Sequence, residues 1–382
     1  MVPASLPTRL QSHLLTQSGW IESHLRTLVQ QESPSEDRAS VNAAMLLAET
    51  WARELGGRVK RHPQKLFGDV LELRFGPARS TRKPILLLGH LDTVWPLGTL
   101  ATMPWTHHNG RYSGPGVLDM KAGVVMALAA ISALQQLNVS RPITLLLNSE
   151  EEIGSPISRP ITERLALTAA AVLVLEPAQG LAYKTARKGV GQYTLTVTGV
   201  AAHSGVDFHH GHSAILELAR LIQTVSGFTN LSRKLTVNCG VISGGTRSNV
   251  VPAHASAEID VRIAKASDAA YIDRLFRRLK VSDPHCTLEI TGGINRPPME
   301  RKPGTVALFK SAQSLAAQLG FHLDEAATGG GSDGNFTAAL GIPTLDGMGA
   351  IGEGAHAPHE HVLVEHLIPR TALLAALIAT IE

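Results

Sequence analysis

Over roughly the first 180 residues, short runs of uninterrupted apolar residues alternate with segments in which apolar positions recur every three or four residues. That pattern predicts strands covered on both faces, separated by helices. "GWIESHLRTLVQ" and "VNAAMLLAETWARELG" have helical spacing, "DVLELRFG" alternates as a half-exposed strand, and "KPILLLGHLD" is a continuous apolar run. The Ala- and Gly-rich "DMKAGVVMALAAISALQQL" suits a helix lying close on a sheet; two more buried-type strands, "RPITLLLNSEEE" and "AAAVLVLEP", follow with a helical stretch between them. The βαβ alternation predicts an α/β fold, a mostly parallel sheet with helices on both faces.

Near residue 189 the pattern changes. "GQYTLTVTG" and "AHASAEIDVRI" alternate apolar with polar positions, as in an antiparallel sheet open to solvent on one side. The order strand, helix, strand, strand, helix, strand predicts an inserted α+β domain of the ferredoxin-like kind over residues 189–293. The earlier pattern returns from 294 to 382, so the main domain is expected to comprise 1–188 and 294–382.

The 382 residues, 44% hydrophobic and 18% charged, suit a globular chain with a large core, and the net charge of +3 implies neither a nucleic-acid nor an anionic-membrane partner. Seventeen histidines are the compositional outlier. Cys239 and Cys286 make no disulfide framework and read as buried packing thiols. The stretch "MVPASLPTRLQSHLLTQSGWIESHL" lacks a basic region followed by an apolar run, and no segment has some 18 consecutive apolar residues. A cytoplasmic location is the expectation.

Ligands of open parallel sheets bind beyond the carboxyl ends of the strands. Three buried-type strands end there in metal-competent groups: His90 and Asp92; Glu150, Glu151 and Glu152; and Glu176. Asp119 lies at the start of a helix. Taken singly, Asp119 reads as an N-cap, the three glutamates as a solvated turn, Glu176 as a strand end and His90 with Asp92 as a polar pair. Together they would repel one another unless a divalent cation intervened. Imidazole and carboxylate donors without thiolate suit zinc, cobalt or manganese; the number of carboxylates suits two ions sharing an aspartate. Spacing alone does not choose a last imidazole among His356, His359, His361 and His366, though the later ones approach a helix and should be exposed.

The ordered set "GHLDTV", "GPGVLDMKAG", "NSEEEIGS", "LEP", "AHSG", "SNVVP", "DVR", "GGGSDG" and "GAHAPHE" resembles the di-zinc aminoacylase/carboxypeptidase family of metallopeptidases, in particular its glutamate carboxypeptidase branch. The resemblance implies two Zn2+ per subunit held by His90, Asp119, Glu152, Glu176 and His356, with Asp119 bridging and followed by a cis peptide. It further implies that Asp92 orients His90, that Glu151 is the general base, and that His203, supplied by the partner of a homodimer joined through 189–293, stabilises an oxyanion. Arg262 and the turn at Gly330 would receive the substrate's carboxylate, and Asn249 would be a further substrate-side group. Arg187 and Lys188, at the domain junction, read equally as substrate contacts or as solvated cations. The implied reaction is hydrolysis of the amide bond to a C-terminal amino acid in a small peptide or N-acyl amino acid. An N-acyl amino acid amidohydrolase or a di- or tripeptidase is the enzymatic alternative, and a metal- or ligand-binding protein of the same fold the non-enzymatic one.

Overall fold

The computed structural model describes residues 5–382; the first four residues of the stretch inspected for a signal peptide lie outside the described residues. The chain forms two compact units. The first comprises the chain up to Ala186, Arg301–Ala327 and Ser332–Glu382, and the second comprises Arg187–Glu300 and Thr328–Gly331. The second unit therefore starts at Arg187 rather than 189 and ends at Glu300 rather than 293, because its last strand runs on to Arg296.

The first unit is built on a six-stranded sheet in the order Arg58–His62, Val70–Phe75, Ile143–Asn148, Ile85–His90, Ala171–Val174, Thr344–Leu345. The last four strands of this order run parallel and the first two are antiparallel. Alternation along each strand splits the core into two layers. Leu71, Leu73, Leu87, Leu145, Leu147 and Leu173 face the layer containing helices Ala122–Gln136 and Val364–Thr380; Val70, Leu86, Leu88, Leu146, Val172 and Val174 pack with Leu165 and Ala166 of helix Arg159–Ala166. Leu71 and its neighbours are fully removed from water, each such leucine contributing on the order of 2 kcal/mol. Gly123 is required where helix and sheet meet, since a Cβ there would lie 2.1 Å from the Leu175 carbonyl oxygen.

The strand Val70–Phe75 differs from its expected half-exposed character: every residue except Arg74 is buried. It lies one place in from the sheet edge, and Glu72 on its covered face accepts from His62 at 2.9 Å and from Arg74 Nε at 2.6 Å. A second sheet, with strands of two or three residues, joins Gly352–Glu353, His361–Leu363, Arg111–Ser113 and Thr106–His108. It buries His361, contrary to the exposure expected of it, because Val362 beside it enters the core and its Nδ1 is satisfied by the His359 carbonyl at 2.9 Å. Among the described residues, the segment Val117–Gln136 alone is long and apolar enough to cross a membrane, and it is almost wholly buried inside the protein.

The second unit is a four-stranded antiparallel sheet in the order Thr236–Gly244, His254–Ile263, Gly189–Thr198, Thr287–Arg296, with helices Ala214–Ser226 and Ser267–Arg277 against it. Its strand-helix-strand-strand-helix-strand sequence with this sheet order is the ferredoxin-like arrangement. Tyr193, Leu195, Val197, Ile259, Val261, Leu218, Ile272 and Phe276 form its own core. Cys286 is buried there, whereas Cys239 is only half-buried because the register shifts between Cys239 and Val241.

Candidate metal centre

The parallel strands carry the first unit's acidic and imidazole groups to one rim. His90 ends strand Ile85–His90, and its Nε2 lies 3.4 Å from Asp119 Oδ1 and 3.7 Å from Glu176 Oε1. His356 Nε2 lies 3.3 Å from Asp119 Oδ2 and 3.1 Å from Glu152 Oε2. Asp119 thus lends one oxygen to each trio, and within each trio the donor atoms lie within 4.8 Å of one another. His356 adopts a left-handed backbone, φ 61°, uncommon outside glycine and here placing the imidazole above Glu152. The Asp119–Met120 peptide is cis, as the resemblance implied.

The loops that carry these groups are held from behind. The Asp92 carboxylate accepts the Ser35 hydroxyl at 2.7 Å and the backbone N–H groups of Glu151 and Glu152, each at 3.1 Å. His90 Nδ1 faces the Asp92 carbonyl at 3.0 Å and its carboxylate at 3.4 Å. Asp92 therefore fixes both the imidazole and the turn Glu151–Ile153. Glu150 points away from the rim: it accepts from Ser149, from Ile157 N–H and from Ser158 N–H, and so shapes the loop.

Sequence reasoning passed over Glu360. Fully buried, it accepts from Trp95 Nε1 at 2.9 Å, Gly116 N–H at 3.0 Å, Leu118 N–H at 2.8 Å and Asp119 N–H at 3.0 Å. Its position four residues after His356, within "HAPHE", is the signal that was available. Asp333 of the "GGGSDG" turn was also missed; it binds Asn148 at the end of strand Ile143–Asn148 and the Ser155 hydroxyl.

Electrostatics reflect the crowding. Burial and the Asp119 charge raise Glu152 above the usual carboxylate range, with His356 opposing. Burial also acts to raise Asp119, yet His356 and His90 pull it well down. Bonds to Asp119 and Glu152 push His356 up to about 10. Burial drives Lys121 down to about 7, the nearby Glu360 and Glu32 charges offsetting part of that fall.

Cations fit this site. His90 Nε2 is buried, faces two carboxylates and has no hydrogen-bond partner among the described residues. A cation lying between this nitrogen and the two carboxylates would satisfy all three groups at once. Imidazole with carboxylate is the donor set of zinc and its neighbours, not of calcium or magnesium.

The remaining expected residues all fall in the second unit. His203 is exposed, pairs with Val250 across a short two-stranded sheet, and has Nδ1 accepting the Gly205 N–H at 3.1 Å. Exposed Asn249 lies beside it, its carbonyl accepting the Ser204 N–H at 3.0 Å. Arg262 is bound to Asp260 through Nε and Nη2, and Nη1 reaches the Gly329 carbonyl at 3.4 Å. Arg187 is neither exposed nor solvated: it is 5% exposed and Nη1 donates to the Gly330 and Gly331 carbonyls at 3.3 and 3.0 Å. The Lys188 N–H donates to the Thr328 carbonyl at 3.0 Å, so both residues of the pair anchor the glycine turn.

An α/β sheet that gathers two donor trios around one aspartate at its strand ends defines a metal-dependent hydrolase. The chain belongs to peptidase family M20/M25/M40, whose family model matches residues 86–380. Among curated relatives, it is 29% identical over 363 residues to carboxypeptidase G2 of Pseudomonas sp. (strain RS-16), covering 92% of this chain and 86% of that one. It is 28% identical over 315 residues to succinyl-diaminopimelate desuccinylase of Delftia acidovorans (strain DSM 14801 / SPH-1), covering 75% and 79%. In fold it is similar to a tripeptidase of Staphylococcus aureus subsp. aureus Mu50, with TM-score 0.80, 20% identity and coverage of 95% and 98%. It is likewise similar to the M20 family metallo-carboxypeptidase Sso-CP2 of Sulfolobus solfataricus, with TM-score 0.74, 19% identity and coverage of 94% and 98%.

Proposed function

We propose that the protein hydrolyses the amide bond to a C-terminal amino acid, using two divalent ions, zinc in the first instance with cobalt or manganese as substitutes. His90, Asp119 and Glu176 would hold one, and Asp119, Glu152 and His356 the other. The single observation behind this reading is Asp119, which gives a separate oxygen to each of two imidazole-containing trios while His90 Nε2 lies buried and unbonded. When bound, such ions polarise the scissile carbonyl and acidify water.

The chain's own residues do the rest. Glu151, its backbone fixed by Asp92, takes a proton from the attacking water on a carboxylate oxygen and returns it to the leaving nitrogen. In the homodimer we infer through the second unit, His203 of the partner subunit donates toward the developing oxyanion. Arg262, with one guanidinium edge already oriented by Asp260, and Asn249 with the turn at Gly330 receive the terminal carboxylate. The similarity to a desuccinylase favours a second substrate class, N-acyl amino acids. We propose a cytoplasmic location.

The test is Glu151→Gln assayed on a panel of peptidyl, pteroyl and N-acyl amino acids, with metal content measured alongside. Turnover is expected to fall by about 10^2 to 10^4 with the metal retained. Near-native turnover would reject Glu151 as the base, and indifference of the wild type to chelation and zinc restoration would reject the metal centre. Preference within the panel decides between the two substrate classes.

A further inference from the structure

A third trio of donors lies wholly within the second unit and shares no residue with the centre above: His212, Asp283 and His285, whose ligand-capable atoms lie within 4.8 Å of one another. His212 Nδ1 is 2.7 Å from Asp283 Oδ2, and His285 Nδ1 is 3.3 Å from Asp283 Oδ1. Each imidazole thus addresses a different oxygen of one carboxylate. The rings themselves stack, 4.1 Å between centroids and 21° between planes.

The backbone fixes all three. His212 exchanges two hydrogen bonds of 2.9 Å with Val200 and directly precedes Ser213, whose hydroxyl caps helix Ala214–Ser226. Asp283 and His285 flank Pro284 in a tight turn closed by Cys286 N–H to the Asp283 carbonyl at 3.0 Å and by His285 N–H to Asp283 Oδ1 at 2.9 Å. Two rings clamped this way cost little further entropy on ligation.

The alternative is a pair of ordinary Asp–His hydrogen bonds on the surface. Against that as the whole account stands the convergence: the two imidazoles face separate oxygens of a single carboxylate, and a ligand-capable atom of each of the three residues lies within 4.8 Å of the others. A neutral imidazole that ligates through Nδ1 keeps its proton on Nε2, so one ion can replace both Asp283 hydrogen bonds without either ring losing its proton. Ligand atoms sharing a tetrahedral ion at bond lengths of roughly 2.0–2.2 Å lie roughly 3.3–3.6 Å apart; the His285–Asp283 spacing of 3.3 Å already matches, and the His212–Asp283 contact of 2.7 Å would open by less than about 1 Å. Two nitrogens and one oxygen favour zinc, nickel or copper over magnesium or calcium.

We propose that His212, Asp283 and His285 form a separate transition-metal site that staples the segment after His203 to the lead-in of the edge strand Thr287–Arg296. His285 is the most exposed ligand, its side chain 64% accessible, which leaves a coordination position open to water. The ion holds together two stretches of the second unit that are far apart in the chain. Its role is structural, and it takes no part in the hydrolysis.

The experiment uses the full-length protein. Wild type, His285→Asn, a His209→Asn/His210→Asn double variant and Glu152→Gln are equilibrated with zinc alone, and bound metal and thermal unfolding are measured. His285→Asn is expected to bind one equivalent fewer than wild type, to lose part of the zinc-induced rise in Tm, and to hydrolyse substrate at the wild-type rate. The double variant is expected to keep the equivalent, which separates a built site from general affinity for histidines. Equal metal content in wild type and His285→Asn, or equal loss in the double variant, would overturn the proposal. Glu152→Gln reports on the other centre: if it loses no metal while His285→Asn does, the staple stands and the hydrolytic centre as assigned fails.

Discussion

Glu360 accepts the backbone N–H of Asp119 at 3.0 Å, so the aspartate shared by both trios is held by a carboxylate buried behind it. The same side chain satisfies Gly116, Leu118 and Trp95, and with them the approach to the helix that follows. Glu360→Ala strands several buried donors and is expected to cost about 1–3 kcal/mol of stability. Metal affinity is expected to fall by about 10- to 100-fold, as when partners behind metal ligands are removed. Denaturant unfolding and metal titration of the variant check the two effects, and unchanged affinity would mean that Asp119 is positioned without Glu360.

Asp92 connects His90 to the Glu151–Glu152 turn, and Asp92→Asn should disturb both. An amide retains one acceptor but turns a donor toward Glu152 N–H or Ser35. A fall of about 10- to 100-fold in metal affinity is expected, together with a lower kcat after metal is restored in excess. A loss repaired entirely by excess metal would confine Asp92 to the imidazole.

Arg187 is buried under the glycine turn and holds two of its carbonyls. Arg187→Met keeps the aliphatic bulk and removes those bonds. Under the proposed role of Gly330, KM should rise by about tenfold, roughly the 1.4 kcal/mol of a single hydrogen bond, with kcat little changed. Steady-state kinetics at saturating metal separates this from a drop in kcat, which would place the effect at the reacting groups.

His24 supplies a pH signature apart from the metal residues. It stacks on Trp20 with centroids 3.8 Å apart, meets the edge of Trp51, and faces the Trp20 carbonyl at 2.8 Å. Burial lowers its pKa, the carbonyl and Glu54 offsetting part of that. The folded pKa is then below the unfolded value of about 6.5, and the unfolded chain takes up the proton first. The stabilisation is complete above about pH 6.5 and is lost as the pH falls toward the folded value. Unfolding curves at pH 7.5 and 5.5 should diverge less for His24→Phe than for wild type; equal divergence would remove His24 from the account.

Periodicity was informative wherever a long element met one environment. The continuous apolar runs before His90, Ser149 and Glu176 became the parallel strands, because only a strand covered on both faces tolerates them. It misled where the surroundings came from elsewhere in the chain. Glu72 looks like the polar position of an open strand, yet His62 and Arg74 let it be buried. The strands Thr106–His108 and Arg111–Ser113 are too short and polar to announce themselves, and their pairing with His361–Leu363 is what covers His361. Glu360 was invisible for a similar reason: a lone glutamate in a histidine-rich loop carries no sign that Trp95 and three backbone donors of Gly116–Asp119 converge on it. His90, Glu152 and Glu176 were legible since strand ends deliver side chains to a common rim; His356 lies in a loop, spacing did not separate it from His359, His361 and His366, and only the resemblance pointed to it.

If each trio takes an ion as proposed, the two positions cannot fill independently, since Asp119 turns one oxygen to each side. The first ion to arrive withdraws negative charge from the carboxylate that the second must use, and adds a like charge nearby. Uptake should proceed in two unequal steps, the earlier one tighter, and by reciprocity whatever strips one occupant strengthens the grip on the other.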